Sequence, residues 1–201
     1  MNNNKKVSVI AMITLLITVI GASYAYFTAQ IGTAKTANVT LTTGQPDVYS
    51  FATSGAITIG PVNQSNFKST DGNKSGSSTG TVSLRAGTSA AATYCYEAYL
   101  NITANTFVYT TSAHTPEVVL TVTKNSTNVL SNYDITTKTG KVSFPTALNG
   151  STIKHTITAT AGSLKTDSWN VTITFVNLNS DQQLNAGKTL TGIIKYENVA
   201  C

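Results

Sequence analysis

A two-residue alternation of apolar and polar side chains recurs along the chain, and this feature restricts the possible folds most strongly. Segment 168–176 places every second residue on one apolar face, formed by Trp169, Val171, Ile173 and Phe175. Segment 93–103 alternates in the same way and sets Cys95 on its more polar face. A period of two is typical of strands with one buried face, and no segment after residue 30 has the 3.6-residue period of a helix. We therefore predict an all-β fold with the Trp169 face in its core.

The number and spacing of such segments predict an antiparallel β-sandwich. Clear alternation recurs at 37–43, 80–85, 117–123, 152–160 and 189–199, and weaker alternation at 47–51, 56–60, 106–110, 126–130 and 141–144. Short strands at intervals of roughly 10 residues, separated by Gly and Asn turns, are typical of sandwiches. Thr, Ser and Asn exceed a third of the chain, and Thr suits a pleated surface. We predict one sandwich domain over 26–201, with segment 63–80, rich in Ser, Gly and Asn, as a flexible surface loop.

The first residues predict export. Lys5 and Lys6 precede an uncharged stretch, 7–27, and Ser23 and Ala25 supply the small side chains that a signal peptidase recognises. Cleavage after Ala25 would make 1–25 a signal peptide. The alternative is an uncleaved hydrophobic helix, 7–27, that anchors the protein in the membrane. In either case the membrane is contacted only through this segment.

The two cysteines are relevant to export as well. An even number of cysteines in an exported protein favours a disulfide. Cys95 lies in a predicted strand and Cys201 follows the last one, so a bridge would pin the C-terminal end to the sandwich. The alternative is two unpaired thiols.

Residues suited to catalysis or cofactor binding are scarce. The chain has two His and eight Asp and Glu, and it contains no metalloprotease, nucleophile-elbow, phosphate-loop or dinucleotide motif. His155 lies in an alternating strand, where a packed or surface role is more common than catalysis. We predict no enzyme activity, no catalytic or metal-binding residues and no cofactor. The net charge is +5, but the Lys residues are dispersed, so nucleic acid is not an expected partner.

The N-terminal region resembles the TasA and camelysin family of exported proteins in Gram-positive bacteria. The resemblance rests on Ala25-Tyr26-Phe27-Thr28 after the hydrophobic stretch, on Asn38-Val39-Thr40-Leu41, on Gly44 and on the late segment 181–198. It implies a jelly-roll-like sandwich, a dedicated SipW-type signal peptidase and assembly into extracellular matrix fibres. In such fibres the N-terminal strand of one subunit completes the sheet of the next.

These observations lead to two functional hypotheses. The first is a secreted structural subunit of a cell-surface or biofilm-matrix fibre, whose partner is another copy of itself. Its donated strand would lie within 26–43, and the side chains that matter would be Tyr26, Phe27, Val39 and Leu41. The second is a membrane-tethered module that binds carbohydrate or protein through exposed aromatic residues, for which the candidates are Tyr99, Tyr109, Tyr133 and Trp169.

Overall fold

The computed structural model describes residues 47–63 and 72–201, and all of them belong to one compact unit. The predicted signal or anchor, with Ser23 and Ala25, and the predicted donated strand, with Tyr26, Phe27, Val39 and Leu41, lie outside the described residues. Within the described ranges no helix is long and apolar enough to cross a membrane.

The described residues form ten strands and one short 3₁₀-helix at Gln183–Asn185. The strands are β1 (Val48–Thr53), β2 (Ile57–Ile59), β3 (Lys74–Arg85), β4 (Ala92–Asn105), β5 (Val118–Lys124), β6 (Thr127–Asp134), β7 (Gly140–Ser143), β8 (Lys154–Ala159), β9 (Leu164–Phe175) and β10 (Leu190–Asn198). Four of the five weakly alternating segments lie in or overlap strands. The fifth, 106–110, does not form one, because Phe107 and Val108 belong to a loop whose main chain is bonded to side chains of Asn105 and Asn185.

Two antiparallel sheets pack face to face, as the alternation predicted. The first sheet has the order β1-β3-β9-β5-β6. The second has the order β2-β10-β4-β7, and β8 pairs with β4 on the same side as β7, at the N-terminal end of β4. Because β1 passes to β2 and β3 to β4, the chain changes sheet repeatedly, and apart from the β5–β6 hairpin most pairing partners are not consecutive strands. By this order β1 and β6 are the edges of the first sheet.

The core lies between the sheets and is built from the predicted faces. Trp169, Val171, Ile173 and Phe175 are each at most 1% exposed. Opposite them, β4 contributes Tyr96, Ala98, Leu100 and Ile102, and β8 contributes His155, Ile157 and Ala159. Phe144 packs against Trp169 with a ring separation of 5.5 Å. In β8 and in the second half of β9 burial alternates because the other face lies on the outside of the sandwich, whereas β4 also buries Cys95 and Tyr99 on its outer face.

The interpretation of 63–80 as a loop is wrong for its second part. Lys74 to Gly80 is the first half of β3, and this half pairs in register with β9 from Phe175 to Trp169. Its small residues suit the position, because the Ser75 hydroxyl lies 2.8 Å from that of Thr174 across the pair. Gly76 allows the backbone of β2 to approach, since a Cβ there would lie 3.0 Å from the carbonyl oxygen of Thr58. The sequence did not predict this half of the strand because its serine- and glycine-rich composition is also typical of loops.

Candidate assembly interface

One edge of the second sheet is only partly covered. β10 pairs with β4 along its whole length, but β2 covers its other side only at Leu190, Thr191 and Gly192. Among the described residues, no strand pairs with that side from Ile193 to Asn198. Main-chain N–H and C=O groups on an unpaired edge can accept another strand. This stretch of β10, Ile193–Asn198, is called the open edge below.

Aromatic side chains fill the sandwich beside the open edge. The ring of Phe51 in β1 stacks on that of Tyr196 in β10 with centroids 5.4 Å apart, so these two edge strands face each other across the sandwich. Tyr49 stacks on Tyr94 of β4 at 4.3 Å and remains 49% exposed. The core therefore reaches the surface here as a row of aromatic rings. An added strand would find apolar surface at this position as well as free main-chain groups.

The hydroxyl of Tyr196 is buried against Gly80. Within the described ranges it has no hydrogen-bond partner. A Cβ on Gly80 would overlap with this oxygen, so the absence of a side chain at Gly80 is what admits the phenol. Burial raises the pKa of Tyr196 well above its ordinary value. Burial and the neighbouring Tyr49 raise the pKa of Tyr94 to about 12, so both rings are neutral at physiological pH.

A disulfide fastens the end of β10. Cys95 and Cys201 are bonded, with Cα atoms 5.2 Å apart, which confirms the predicted pairing. The Val199 amide donates to the Cys95 carbonyl at 3.1 Å, and Lys154 Nζ donates to the Cys201 carbonyl at 3.1 Å. These contacts hold the C-terminal residues on β4 and so fix the open edge. A disulfide is typical of proteins from oxidising, extracellular compartments.

A charged pair lies inside the sandwich beneath Trp169. Lys124 Nζ contacts Asp167 Oδ2 at 2.8 Å, the Tyr96 hydroxyl donates to the same oxygen at 2.7 Å, and Asn125 Nδ2 donates to Oδ1 at 2.9 Å. Burial acts to raise the pKa of Asp167, but these three donors outweigh it and the pKa is lowered. Trp169 Nε1 donates to the Tyr96 hydroxyl at 3.3 Å. The group therefore ties β4, β5 and β9 together with its polar atoms satisfied.

His155 is a packed residue of the same region. Its ring lies 4.8 Å from that of Trp169 and 5.3 Å from that of Tyr96, and Nε2 lies 2.9 Å from the Phe144 carbonyl oxygen. Burial lowers the pKa of His155 despite that carbonyl. In the part of the chain that the structure describes, no three His, Cys, Asp or Glu side chains lie close enough to hold a metal ion.

A second buried acid fixes the loop that leads into β10. The carboxyl group of Glu117 is fully buried and accepts from the Thr110 amide and hydroxyl at Oε1. Gln182 Nε2 and Asn185 Nδ2 each donate to Oε2 at 2.7 Å. These contacts hold the loop between β9 and β10 against the segment before β5. The sequence contained no signal for this group, because its members are spread over more than 70 residues and meet only in the folded chain.

The aromatic residues proposed for the alternative function do not form one surface. Trp169 is 1% exposed and belongs to the core, and Tyr99 is 7% exposed, with Lys141 Nζ 4.5 Å from its ring centroid. Tyr109 is partly buried and donates its hydroxyl to Asp134. Tyr133 alone of the four is well exposed, at 40%. The prediction of a shared exposed patch over Tyr99, Tyr109, Tyr133 and Trp169 is therefore wrong. Strand alternation turns Trp169 inward, and Tyr99 and Tyr109 are covered by their neighbours.

No protein-family model and no curated protein matches the chain. The resemblance of the N-terminal region to the TasA and camelysin family thus stays a prediction.

Proposed function

We propose that this protein is a secreted structural subunit of an extracellular fibre, and that residues 26–43 of one subunit add as a strand to the open edge of the next. The observation that carries the proposal is the side of β10 from Ile193 to Asn198 that no described strand pairs with, together with the nearby exposed ring of Tyr49. The resemblance of the N-terminal region to matrix-fibre proteins is the reason to expect assembly into fibres. Under this proposal the sandwich is jelly-roll-like, and the partner is another copy of the same chain.

The energetics are adequate for a stable contact. Each main-chain hydrogen bond contributes a net of about 0.5–1.5 kcal/mol, and the open edge is long enough for several of them. In an extended donated strand Val39 and Leu41 would share one face, and burying each side chain would contribute roughly 1.5–3 kcal/mol more. The hydrogen bonds and the burial of the two side chains exceed the entropic cost of ordering the segment only when most of these contacts are made together. Strand addition should therefore be cooperative.

The arrangement permits a polymer, and a pair of subunits that each donate to the other would form a closed dimer. The donated segment is joined to β1 by residues 44–47, whereas the receiving surface is on β10. A donor and an acceptor at different places on each subunit give head-to-tail contacts, which extend indefinitely unless the rotation closes a ring. Charged residues make up only 10% of the chain, so repulsion between successive subunits is weak.

Export belongs to the same proposal. Residues 1–25 would be removed after Ala25 by a SipW-type signal peptidase, which would free Tyr26 as the new N-terminus. The Cys95–Cys201 disulfide agrees with an oxidising destination. Retention of 7–27 as an anchor would instead place the sandwich on the membrane surface.

The test uses the mature chain, residues 26–201, and a truncated chain that lacks 26–43. We expect the truncated chain to stay folded, because the described core lacks that segment, and to remain monomeric in light scattering and electron microscopy. The mature chain should form filaments. A free peptide of residues 26–43 should bind the truncated chain and block its incorporation into filaments.

Matched double variants make the test specific. Val39→Asp with Leu41→Asp should abolish assembly, because an unpaired carboxylate is costly to bury. Thr40→Asp with Thr42→Asp adds the same charge to the opposite face and should leave assembly largely intact. Equal assembly of the truncated and mature chains would rule out strand donation. A mature chain that stays monomeric at all concentrations would refute the fibre role.

The alternative is a membrane-tethered binding module. Of the features named for it, the exposed ring of Tyr133 is the one that favours it. A protein that keeps Met1 to Ala25 and fractionates with membranes would support this alternative, and intact mass measurement distinguishes the two cases.

A further inference from the structure

An open groove runs along the side of the sandwich opposite the open edge. It lies between β6, the edge of the first sheet, and β7 with the loop 145–150. Two adjoining hollows of about 400 and 530 Å³ share Tyr133, Lys138 and Asn149, so they form one continuous groove. Each hollow is within the range of roughly 300–1,000 Å³ that is usual for ligand sites.

The groove presents one flat ring and one cation without an acidic partner. Tyr133 is 40% exposed, and Lys138 Nζ lies 5.2 Å from its ring centroid. Among the described residues Lys138 makes no ion pair, whereas Lys141, also in the lining, contacts both Glu97 and Glu197 at 2.9 Å. The positive charge available to a ligand is therefore that of Lys138.

Asp134, the one acidic residue in the lining, already accepts hydrogen bonds from the protein. Asp134 Oδ1 accepts from the amide and hydroxyl of Thr136, and Oδ2 accepts from the Tyr109 hydroxyl. These hydrogen bonds, after the opposing effect of burial, lower the pKa of Asp134, so it stays ionised and committed to the protein. Lys138 makes no direct ion pair with Asp134, but its positive charge also helps to lower that pKa, so a ligand carboxylate would share Lys138 with Asp134.

Amide and hydroxyl groups line the rest of the groove. The side chain of Asn132 makes no hydrogen bond within the described ranges, and Asn149 uses its oxygen, 3.3 Å from the Ser131 amide, but leaves its NH₂ group free. Thr139 and Ser143 add hydroxyls. Such groups can both donate to and accept from the hydroxyls of a sugar.

The edge of β6 is not available for a peptide strand. The Asn149 amide donates to the Val129 carbonyl at 2.9 Å, and the Asn149 side chain accepts from the Ser131 amide. Loop 145–150 therefore already covers part of this edge, which disfavours an extended polypeptide as the ligand.

We infer that this groove binds a carboxylate-bearing sugar within an acidic polysaccharide. The C–H face of the sugar ring packs on Tyr133, its carboxylate pairs with Lys138, and its hydroxyls bond to Asn132 and Asn149. This site goes beyond the proposed fibre role and does not depend on it. Because the groove and the open edge are on opposite sides, a fibre would carry the groove on every subunit, and weak sites would act together by multivalency.

The test is titration of the protein with tetragalacturonate, followed by calorimetry and by NMR shifts of groove residues. Maltotetraose is the neutral sugar control and tetraglutamate is the polyanionic peptide control. We expect binding of tetragalacturonate that weakens with added salt, and much weaker binding of both controls.

Three variants assign the contacts, and two more serve as controls. Tyr133→Ala should weaken binding by about tenfold and Tyr133→Phe by little, since the ring supplies the contact. Lys138→Gln should weaken binding by about fivefold and remove most of the salt dependence. Leu164→Ala and Lys165→Gln change exposed residues elsewhere and should leave affinity unchanged. Equal binding of tetraglutamate, or unchanged affinity in both Tyr133→Ala and Lys138→Gln, overturns the inference.

Discussion

Replacing Tyr196 by Phe should stabilise the protein. The Tyr196 hydroxyl is buried and has no partner among the described residues. An unsatisfied buried hydroxyl costs about 1–3 kcal/mol, and the substitution removes it without changing the rings that stack at 5.4 Å. We expect the free energy of unfolding to rise by about 1 kcal/mol, the lower end of that range. The gain is at the lower end because removing the oxygen also removes its packing contacts with its neighbours.

The same hydroxyl should control the effect of Gly80→Ala. In the native protein the new methyl group overlaps with the Tyr196 oxygen, and overpacking of this kind costs about 1–3 kcal/mol. In the Tyr196→Phe background the nearest atoms become the Ala52 carbonyl oxygen at 3.1 Å and the ring carbon Cζ at 3.2 Å. Gly80→Ala should then cost clearly less, although these two contacts are still tight, and the two substitutions should couple by about 1 kcal/mol.

Urea unfolding of the four proteins, followed by fluorescence of the single Trp169, measures all terms of this cycle. Two results would refute the reasoning. Destabilisation by Tyr196→Phe of more than about 0.5 kcal/mol would mean that the hydroxyl is satisfied in solution. Additive effects would mean that Gly80 and Tyr196 are not in steric conflict.

Three further predictions concern the core, the buried charge and the disulfide. Trp169→Ala should cost about 3–5 kcal/mol and Trp169→Phe clearly less, in denaturant melts followed by circular dichroism; a cost below about 0.5 kcal/mol for Trp169→Ala would contradict its burial. Because the folded pKa of Asp167 is lowered, its stabilising effect is complete above the unfolded value of about 3.9 and is lost as pH falls through the folded pKa. Asp167→Asn should flatten this acid dependence at a large cost at pH 7, since Lys124 loses its partner, and an unchanged pH profile would contradict the assignment. Cys201→Ser should lower the free energy of unfolding by roughly 2–4 kcal/mol. Thiol titration of the unsubstituted chain, in denaturant and without reductant, should find no free thiol, and two free thiols would refute the bridge.

Local patterning was sufficient to predict which faces are buried. In β9 the alternation of Trp169 to Phe175 requires one face to avoid water, and that face is the core. In β4 the alternation placed Tyr96 inward correctly, but it could not show that Cys95 and Tyr99 on the opposite face are also buried. A two-residue period is a property of the extended backbone itself, so it can be read without knowing the partner strands.

The first half of β3 and the groove could not be predicted in this way. Lys74 to Gly80 has no apolar period, and it is a strand because β9 provides a partner and because Gly76 and Gly80 admit neighbouring atoms. Tyr133 and Asn149 meet only because β6 and loop 145–150 are adjacent in the folded chain.

The sequence by itself determined the all-β class and the inward faces of the main strands, since each follows from local periodicity. It favoured a Cys95–Cys201 bridge, and the structure decided between that bridge and two unpaired thiols. Only the tertiary structure decided the strand order, the open edge of β10 and the buried sites of Glu117 and Asp167. Those features depend on contacts between residues far apart in the chain, such as Glu117 with Asn185, and the order in which strands pair is set by the packing of whole sheets rather than by any one segment.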